Sequence, residues 1–270
     1  GRTKASILDE KLGIARRNVP LVASLGAKYL VEKAKRRCEE LSAPFHSIRD
    51  EVEVERSSMD PDSIRLDLRT PVRSYKGLMT RMIGLPQVGN IATAVRTCEL
   101  LARYDGLARP RGGAAGRRGF PVKVVREGLA HAFLPGRFQI LPGDPRIILD
   151  VSHNEESLIA SLRTLTSLSP RRKNVLLFAV QAHKELGRFP ARAVRSAREI
   201  ILAPLGTERG AKADDLEEIF NGLSAPGGAE IVTAASIGAA VRKARKRIRK
   251  GDSLLIFGSH LTVEEATRHL

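Results

Sequence analysis

An acidic residue, a histidine and an asparagine follow one another closely at the end of an apolar run in the second half of the chain. The segment reads ILDVSHN and contains Asp150, His153 and Asn154. Ligands of open α/β sheets bind at the carboxyl ends of strands, so these side chains could hold a phosphate, a ribose or a metal-bound water. A structural role also fits them, because Ser152 and Glu155 have the spacing of a helix capping box and His153 could be an ordinary loop residue.

Three further segments carry residue types that suit anion binding or chain turns. Arg137 follows Pro-Gly, and a guanidinium fork fits phosphates and carboxylates, although an arginine after such a turn is usually just solvated. Ser259 follows the last apolar run, and the Thr-x-x-Glu sequence at 262–265 again has capping-box spacing. Near the start, Lys11 lies in an EKLGI sequence that fits a helix end with a glycine stop.

Apolar runs alternate with helical segments from Pro145 onward. Each run is rich in Ile, Leu and Val: IILDV, NVLLFAV, EIILAPL, EIVTA and SLLIFGS. Strands that are buried on both faces have this composition, and their alternation with helices is typical of a mostly parallel sheet flanked by helices. The sequence therefore predicts a Rossmann-like domain over residues 133–270.

The first half of the chain has a more mixed pattern, from which a separate α/β piece is expected over residues 1–132. Its periodicity predicts helices over residues 3–14, 27–41 and 88–104, and strands at 19–23, 51–54, 64–68 and 78–83. The segment 106–119 is rich in Gly, Arg and Pro and is expected to form a flexible surface loop.

The charge balance of the chain is strongly basic. Lys and Arg number 46 against 30 Asp and Glu, which gives a net charge of +16. Such a surface attracts nucleic acid, anionic lipid or a multiply anionic substrate. The basic clusters at 33–37 and 242–250 alternate with apolar residues in helical register, as amphipathic helices do. Dispersed, solvated charge is therefore the plainer interpretation.

Composition disfavours several classes of protein. Aromatic residues make up 4% of the chain and Trp is absent, which argues against an aromatic platform for single-stranded nucleic acid. No apolar run reaches the roughly 18 residues of a membrane-spanning helix, and no signal peptide opens the sequence. Cys38 and Cys98 offer neither a disulfide framework nor metal spacing. A cytoplasmic protein that binds no membrane and no specific nucleic acid is therefore expected.

Motifs in a fixed order run along the whole chain: EKLGI…VPLV, GLPQVGNIATA, GL…LPGRFQIL, ILDVSHN, GTERGAKADDL and LLIFGS. Together they resemble the folylpolyglutamate and dihydrofolate synthases of the Mur ligase superfamily. The resemblance implies that residues 1–132 are part of a Mur ligase central, ATP-binding domain and that residues 133–270 are the C-terminal domain. The chain departs from the family at Pro86, where His is usual, and at His183-Lys184-Glu185, where the family has Asp-Lys-Asp.

The resemblance implies an ATP-dependent ligase that adds L-glutamate to a carboxylate of folate or dihydropteroate through an acyl phosphate. It also implies ATP and magnesium as cofactors and a monomeric state. Lys11 corresponds to a lysine that is carbamylated in the family and ligates magnesium, which fits the preference of this cation for oxygen ligands. The nucleotide-site residues implied are Asn90 near the adenine, Arg137, Asp150, His153 as a catalytic residue, Asn154 and Ser259.

The family's Gly-rich phosphate loop, which ends in Gly-Lys-Ser, has no counterpart in this sequence, because no Gly-Lys dipeptide occurs in it. The expectation is therefore an incomplete chain that lacks the N-terminal half of the central domain and is inactive alone. Two alternatives stay open. One is a non-catalytic remnant or partner subunit of a Mur-ligase-like enzyme, and the other is a basic nucleic-acid-binding protein.

Overall fold

The computed structural model describes residues 3–104, 120–169, 174–223 and 228–270. The chain forms two compact units. The first comprises Gly1–Ser58, Ile64–Arg81 and Pro86–Ala132, and the second comprises Met59–Ser63, Met82–Leu85 and Phe133–Leu270. The predicted loop 106–119 lies outside the described residues. The assignment of residues 1–132 and 133–270 to two Mur ligase domains stays a prediction.

The first unit combines a parallel strand pair, a three-stranded sheet and four longer helices. Its elements are α1 (Lys4–Leu12), β1 (Leu21–Ala23), α2 (Lys28–Glu40), β2 (Phe45–Ser47), α3 (Ile48–Glu51), β3 (Glu53–Met59), β4 (Ile64–Arg69), β5 (Ser74–Thr80), α4 (Leu85–Tyr104) and α5 (Val122–His131). β1 pairs with β2 in parallel, and β3, β4 and β5 are neighbours in that order, with β4 and β5 antiparallel.

A network of buried and half-buried polar groups connects α3 and β2 to α4 and β5. The carboxylate of Glu51 accepts from Arg96 Nε at 2.6 Å and lies 2.8 Å from the Nδ1 of His46. Arg96 donates to Glu99 at 3.1 Å, and Glu99 accepts from the Tyr75 hydroxyl at 2.9 Å. Burial, and then the bond to Glu99, raises the pKa of Tyr75, so the phenol stays a donor. Glu51 and Glu99 share the guanidinium of Arg96, so these charges are paired, as burial requires, and the network links α4 to α3 and β5.

The second unit is built on a six-stranded sheet. Its strands are β6 (Gln139–Ile140), β7 (Arg146–Asp150), β8 (Asn174–Phe178), β9 (Glu199–Leu202), β10 (Glu230–Thr233) and β11 (Ser253–Phe257), and its helices are α6 (Glu155–Leu168), α7 (Phe189–Ser196), α8 (Ala213–Asn221), α9 (Ile237–Arg247) and α10 (His260–Thr267). The strand order is β10-β9-β8-β11-β7-β6, and only the edge strand β6 runs antiparallel. The predicted mostly parallel sheet is confirmed.

Helices cover both faces of this sheet because its strands are apolar on both sides. Ile148 and Leu149 are neighbours on β7, yet Ile148 packs with the core under α6, α7 and α8, whereas Leu149 packs with the core under α9 and α10. Alternate residues of a strand point to opposite faces, so continuous Ile/Leu/Val runs supply two cores at once. No described helix is long and apolar enough to span a bilayer.

The sequence misplaced two strands and missed several short elements. The strand expected at 51–54 is β3 at Glu53–Met59, after Glu51 ends α3, and the strand expected at 78–83 is β5 at Ser74–Thr80. Gly77 has a positive φ of +63°, and the β4–β5 register shifts between Leu66 and Leu68. Such an irregularity interrupts the alternation of buried and exposed residues, which is the signal that locates a strand. The short elements β2, α3 and β6, and the amphipathic helix α5, were not predicted.

Candidate functional site

Asp150 ends β7 with its carboxylate turned into the protein, and its residue surface is only 8% exposed. One carboxylate oxygen accepts from the Ser152 amide at 3.1 Å, and the other accepts from the Ser161 hydroxyl of α6. Burial raises the pKa of Asp150, and the hydrogen bonds from Ser161 and Ser152 and the positive charge of Arg137 oppose that rise. The carboxylate therefore holds the turn that joins β7 to α6.

That turn leads into α6 through a cap two residues later than the predicted one. Asn154 is the N-cap: its side chain accepts from the Ser157 amide at 2.9 Å, and the Ser157 hydroxyl accepts from the Asn154 amide at 3.2 Å. The expected Ser152–Glu155 capping box is therefore wrong. Ser152 is buried and contacts Ser161 at 3.2 Å, and Glu155 is the first helical residue.

His153 lies in the same turn, half-buried, with a fixed ring orientation. Its Nδ1 lies 3.1 Å from the carbonyl of Val151. Because a carbonyl can only accept, Nδ1 carries the proton and Nε2 of the neutral ring is left as an acceptor. The ring centroid of His260, the first residue of α10, lies 6.4 Å away. His260 was not predicted as a site residue, although the Gly-Ser-His sequence that precedes α10 was a signal for it.

Arg137 is presented to solvent by a turn that packs against the end of β7. Gly136 has a φ of +69°, and a Cβ on it would lie 2.8 Å from Val151 Cγ1. Its carbonyl accepts from the Val151 amide at 2.8 Å. Phe138 is buried, whereas Arg137 between them is exposed. The Pro-Gly-Arg-Phe sequence thus anchors both sides of the arginine and leaves its guanidinium available.

Ser259 begins α10 beside the same strand ends. Its hydroxyl accepts from the Thr262 amide at 3.0 Å, so α10 is capped at Ser259 and the predicted cap at Thr262 is wrong. The side chain of Thr262 instead donates to the carbonyl of Ala179 at 2.7 Å. The Gly258 amide donates to the carbonyl of Ser152 at 3.0 Å, which fixes the end of β11 to the turn after β7.

The second unit therefore brings together five of the predicted site residues: Arg137, Asp150, His153, Asn154 and Ser259. Asn154 and Ser259 are N-caps of α6 and α10, and the N-terminal end of a helix carries a partial positive charge. An exposed guanidinium and an imidazole acceptor complete the edge. This is an arrangement that can bind an anionic ligand with hydroxyl groups, such as a nucleotide.

Lys11 and Asn90, the other two predicted residues, belong to the first unit. Lys11 is exposed in the last turn of α1, which ends at Gly13 as its EKLGI sequence predicted. Asn90 is exposed on α4, and its amide donates to Gln87 Oε1 at 3.0 Å. Within the described part of the chain, no group of three His, Cys, Asp or Glu side chains is placed to hold a metal. The roles of both residues stay predictions.

Comparison with known proteins gives these residues a context. Residues 136–260 match the family "Mur ligase, glutamate ligase domain". The chain is 24% identical over 216 residues to a Bacillus subtilis dihydrofolate synthase/folylpolyglutamate synthase, covering 80% of this chain and 48% of that protein. It is 34% identical over 145 residues to the Escherichia coli protein of that name, covering 52% and 31%. The chain thus spans about half or less of the length of the curated relatives it matches.

A solved structure shows the same fold. Mycobacterium tuberculosis folylpolyglutamate synthase complexed with ADP superposes with a TM-score of 0.82 at 20% identity, covering 99% of this chain and 59% of that chain. The resemblance predicted from the sequence motifs is confirmed.

Proposed function

From this relationship to the folylpolyglutamate and dihydrofolate synthases, we propose that the chain is part of an ATP-dependent ligase. The enzyme joins the amine of L-glutamate to a carboxylate of folate or dihydropteroate. The observation that carries the proposal is the edge at β7 and β11, where Arg137, Asp150 and Ser259 lie within the matched residues 136–260. An ADP complex is known for the related protein from M. tuberculosis.

The proposed reaction has two balanced steps. A carboxylate oxygen of the acceptor attacks the γ-phosphorus of ATP, the bond to the β-phosphate oxygen breaks, and ADP leaves. The neutral amine of glutamate then attacks the acyl carbon, inorganic phosphate departs with the former carboxylate oxygen, and the amine loses a proton. Phosphoryl transfer depends mainly on positioning and charge neutralisation, and this site supplies groups for both.

Each residue of the site has a role that fits its surroundings. Arg137 is exposed and anchored, so its guanidinium can neutralise phosphate charge. Because Nδ1 of His153 is hydrogen-bonded to a carbonyl, its Nε2 is the free acceptor. Nε2 can accept a hydrogen bond from a ribose hydroxyl or take a proton from the reacting amine. Asp150 acts through the turn that it holds. Asn90 is assigned to the adenine, and Asn154 and Ser259 orient the helix amides.

The protein residues proposed here can hold a magnesium ion only together with the phosphates of the nucleotide. This ion keeps near-octahedral oxygen ligation and usually combines one or two protein ligands with substrate phosphates. Lys11 is exposed and, as a carbamate, would give one such oxygen ligand. When bound, the ion would neutralise charge on the transferred phosphoryl group.

Binding of the triphosphate is assigned to a Gly-Lys-Ser phosphate-binding loop outside these 270 residues, since no Gly-Lys dipeptide occurs among them. We also assign the enzyme to the cytoplasm as a monomer. Its two cysteines are free thiols, as a reducing compartment favours.

The test is glutamate ligation by the protein expressed from its complete reading frame, with dihydropteroate and a reduced folate as separate acceptors. ATP-dependent amide formation with either acceptor is expected. Lys11→Ala and Lys11→Arg should abolish it, because neither side chain can be carbamylated. Lys28→Arg, an exposed lysine on α2, is the control and should keep the wild-type rate. A folded protein that forms no amide with any acceptor would refute the proposal and favour a non-catalytic relative.

A further inference from the structure

A groove lined by four arginines runs between α6 and α7 in the second unit. Its volume is about 560 Å³, and its basic residues are Arg163, Arg188, Arg192 and Arg195. Ile159 and Leu162 of α6 form part of its wall, and no acidic or aromatic residue lines it. The groove is therefore a concave, positively charged surface with an apolar side.

The positive charge of the groove exceeds the negative charge beside it. Arg163, Arg192 and Arg195 are exposed, and none of them forms an ion pair with a carboxylate in the described part of the chain. Arg188 forms an ion pair with Glu155 at 3.1 Å, and the charge of Arg192 also helps to lower the pKa of Glu155. Four guanidinium groups that share one carboxylate repel one another, so a bound polyanion would stabilise the arrangement.

The arginines are spaced along one direction. Arg188, Arg192 and Arg195 follow each other at intervals of four and three residues, so they share one face of α7. At 1.5 Å per residue they extend over roughly 10 Å, with Arg163 on the facing helix α6. A row of positive groups suits an elongated ligand with repeated negative charges better than a single phosphate.

One end of the groove joins the candidate site. Glu155 directly follows the Asn154 cap, and its carboxylate accepts from the amide and the Nε of Arg188, both at 3.1 Å. A Cβ on Gly187 would lie 2.4 Å from the Glu155 carboxylate, so backbone and carboxylate are in close contact. A chain that leaves the site along α6 therefore meets Arg188 first and Arg195 last.

We propose that this groove binds the γ-linked oligoglutamate chain of the substrate, a proposal that rests on the function proposed above. Each γ-linked glutamate carries one free α-carboxylate, which a guanidinium fork can bind, and methylene groups that can lie against Ile159 and Leu162. A single-stranded nucleic acid fits less well, because such ligands stack their bases on aromatic side chains and none lines the groove.

Calorimetry with a short oligo-γ-glutamate and the 270-residue chain tests the groove directly. Binding is expected to weaken with added salt. The triple variant Arg163→Gln, Arg192→Gln, Arg195→Gln should bind about tenfold more weakly, since each exposed ion pair contributes modestly. The matched control removes three exposed charges near α9, on the other face of the sheet: Arg242→Gln, Lys246→Gln, Arg249→Gln. It should bind as the wild type does.

Kinetics then separate this proposal from the function on which it rests. In the ligase, the groove variant should raise KM for an oligoglutamyl acceptor about tenfold and leave monoglutamyl KM and kcat unchanged. The groove proposal alone would be overturned if variant and wild type had the same KM for the oligoglutamyl acceptor. It would also be overturned if the wild-type chain did not bind oligoglutamate. Arginine-dependent binding of an oligonucleotide in place of oligoglutamate would overturn it as well. Absence of ligation with intact oligoglutamate binding would refute the proposed function only.

Discussion

Asp150 and Arg137 lie side by side but are engaged in different ways. Both oxygens of Asp150 accept from the chain's own donors, Ser152 and Ser161, whereas the guanidinium of Arg137 is exposed. A buried carboxylate whose acceptors are used internally is suited to positioning a turn. The exposed guanidinium is suited to contact with a ligand. At the scale of single residues, Asp150 therefore positions the turn and Arg137 is proposed to contact the ligand.

The first prediction concerns the titration of Asp150. Burial raises its pKa in the folded state above the unfolded value of about 3.9. Between these two values the unfolded chain has lost a proton that the folded chain keeps, so this group's contribution to stability falls as pH rises. Asp150→Asn removes the titration. The stability of the wild type relative to this variant, measured by urea unfolding, should therefore fall as the pH rises above about 4. A widening advantage would contradict the raised pKa.

The second prediction concerns ligand contact by Arg137. Arg137→Ala in the complete protein should lower kcat/KM for ATP in the proposed ligation about 100-fold, because a preorganised group that neutralises developing charge is removed. The melting temperature should change little, since the side chain is exposed. Steady-state kinetics and thermal unfolding together check both parts. Arg242→Ala, an exposed arginine on α9, is the control. If Arg137→Ala kept the wild-type rate, Arg137 would be a solvated turn residue that does not contact ATP.

At the scale of elements, the site depends on turns whose details the sequence only partly indicates. The strands and helices of the second unit follow their apolar runs closely, because burial on both faces leaves a strong compositional signal. The N-caps of α6 and α10 are not the residues that capping-box spacing predicted. Ser152 and Thr262 satisfy capping-box patterns, yet both are buried and bonded elsewhere. Which hydroxyl caps a helix depends on the tertiary contacts of the others, and sequence spacing does not contain that information.

The third prediction tests the observed cap of α6. Asn154→Ala should destabilise the protein by about 1 kcal/mol, because the Ser157 amide loses its acceptor. Asn154→Gly should cost only a few tenths of a kcal/mol, since glycine adopts the cap geometry readily. Chemical denaturation of the two variants measures both values. Equal, negligible losses would show that Asn154 is not the cap.

The fourth prediction concerns the turn after β11. Gly258 has a φ of +119°, and a Cβ on it would lie 2.2 Å from the carbonyl oxygen of Ala179. Gly258→Ala should therefore destabilise the fold by about 3 kcal/mol or more, through strain and a clash with backbone. Gly206→Ala is the control, because the nearest atom to its added Cβ is 4.0 Å away. Comparable melting temperatures for the two variants would contradict the tight packing of this turn.

At the scale of the whole molecule, the order of the motifs along the chain predicted the fold and the family resemblance better than any single motif did. The net charge of +16 was compatible with several kinds of partner, and the sequence did not reveal that Arg163, Arg192 and Arg195 lie together in one groove. That grouping joins Arg163 of α6 to Arg192 and Arg195 of α7 and arises only when the helices pack. The fold class and the residues at the strand ends were predictable, whereas the groove between the helices was not.

In the proposed reaction, a carboxylate is activated by phosphorylation and the amine of glutamate then displaces the phosphate. The most direct measurement uses an acceptor in which both oxygens of the reacting carboxylate are a heavy isotope, incubated with ATP, glutamate and the complete protein. Mass spectrometry of the released inorganic phosphate should find one labelled oxygen per amide formed, because phosphate departs with a former carboxylate oxygen. Amide formation with unlabelled phosphate, or with the label in AMP, would contradict the account.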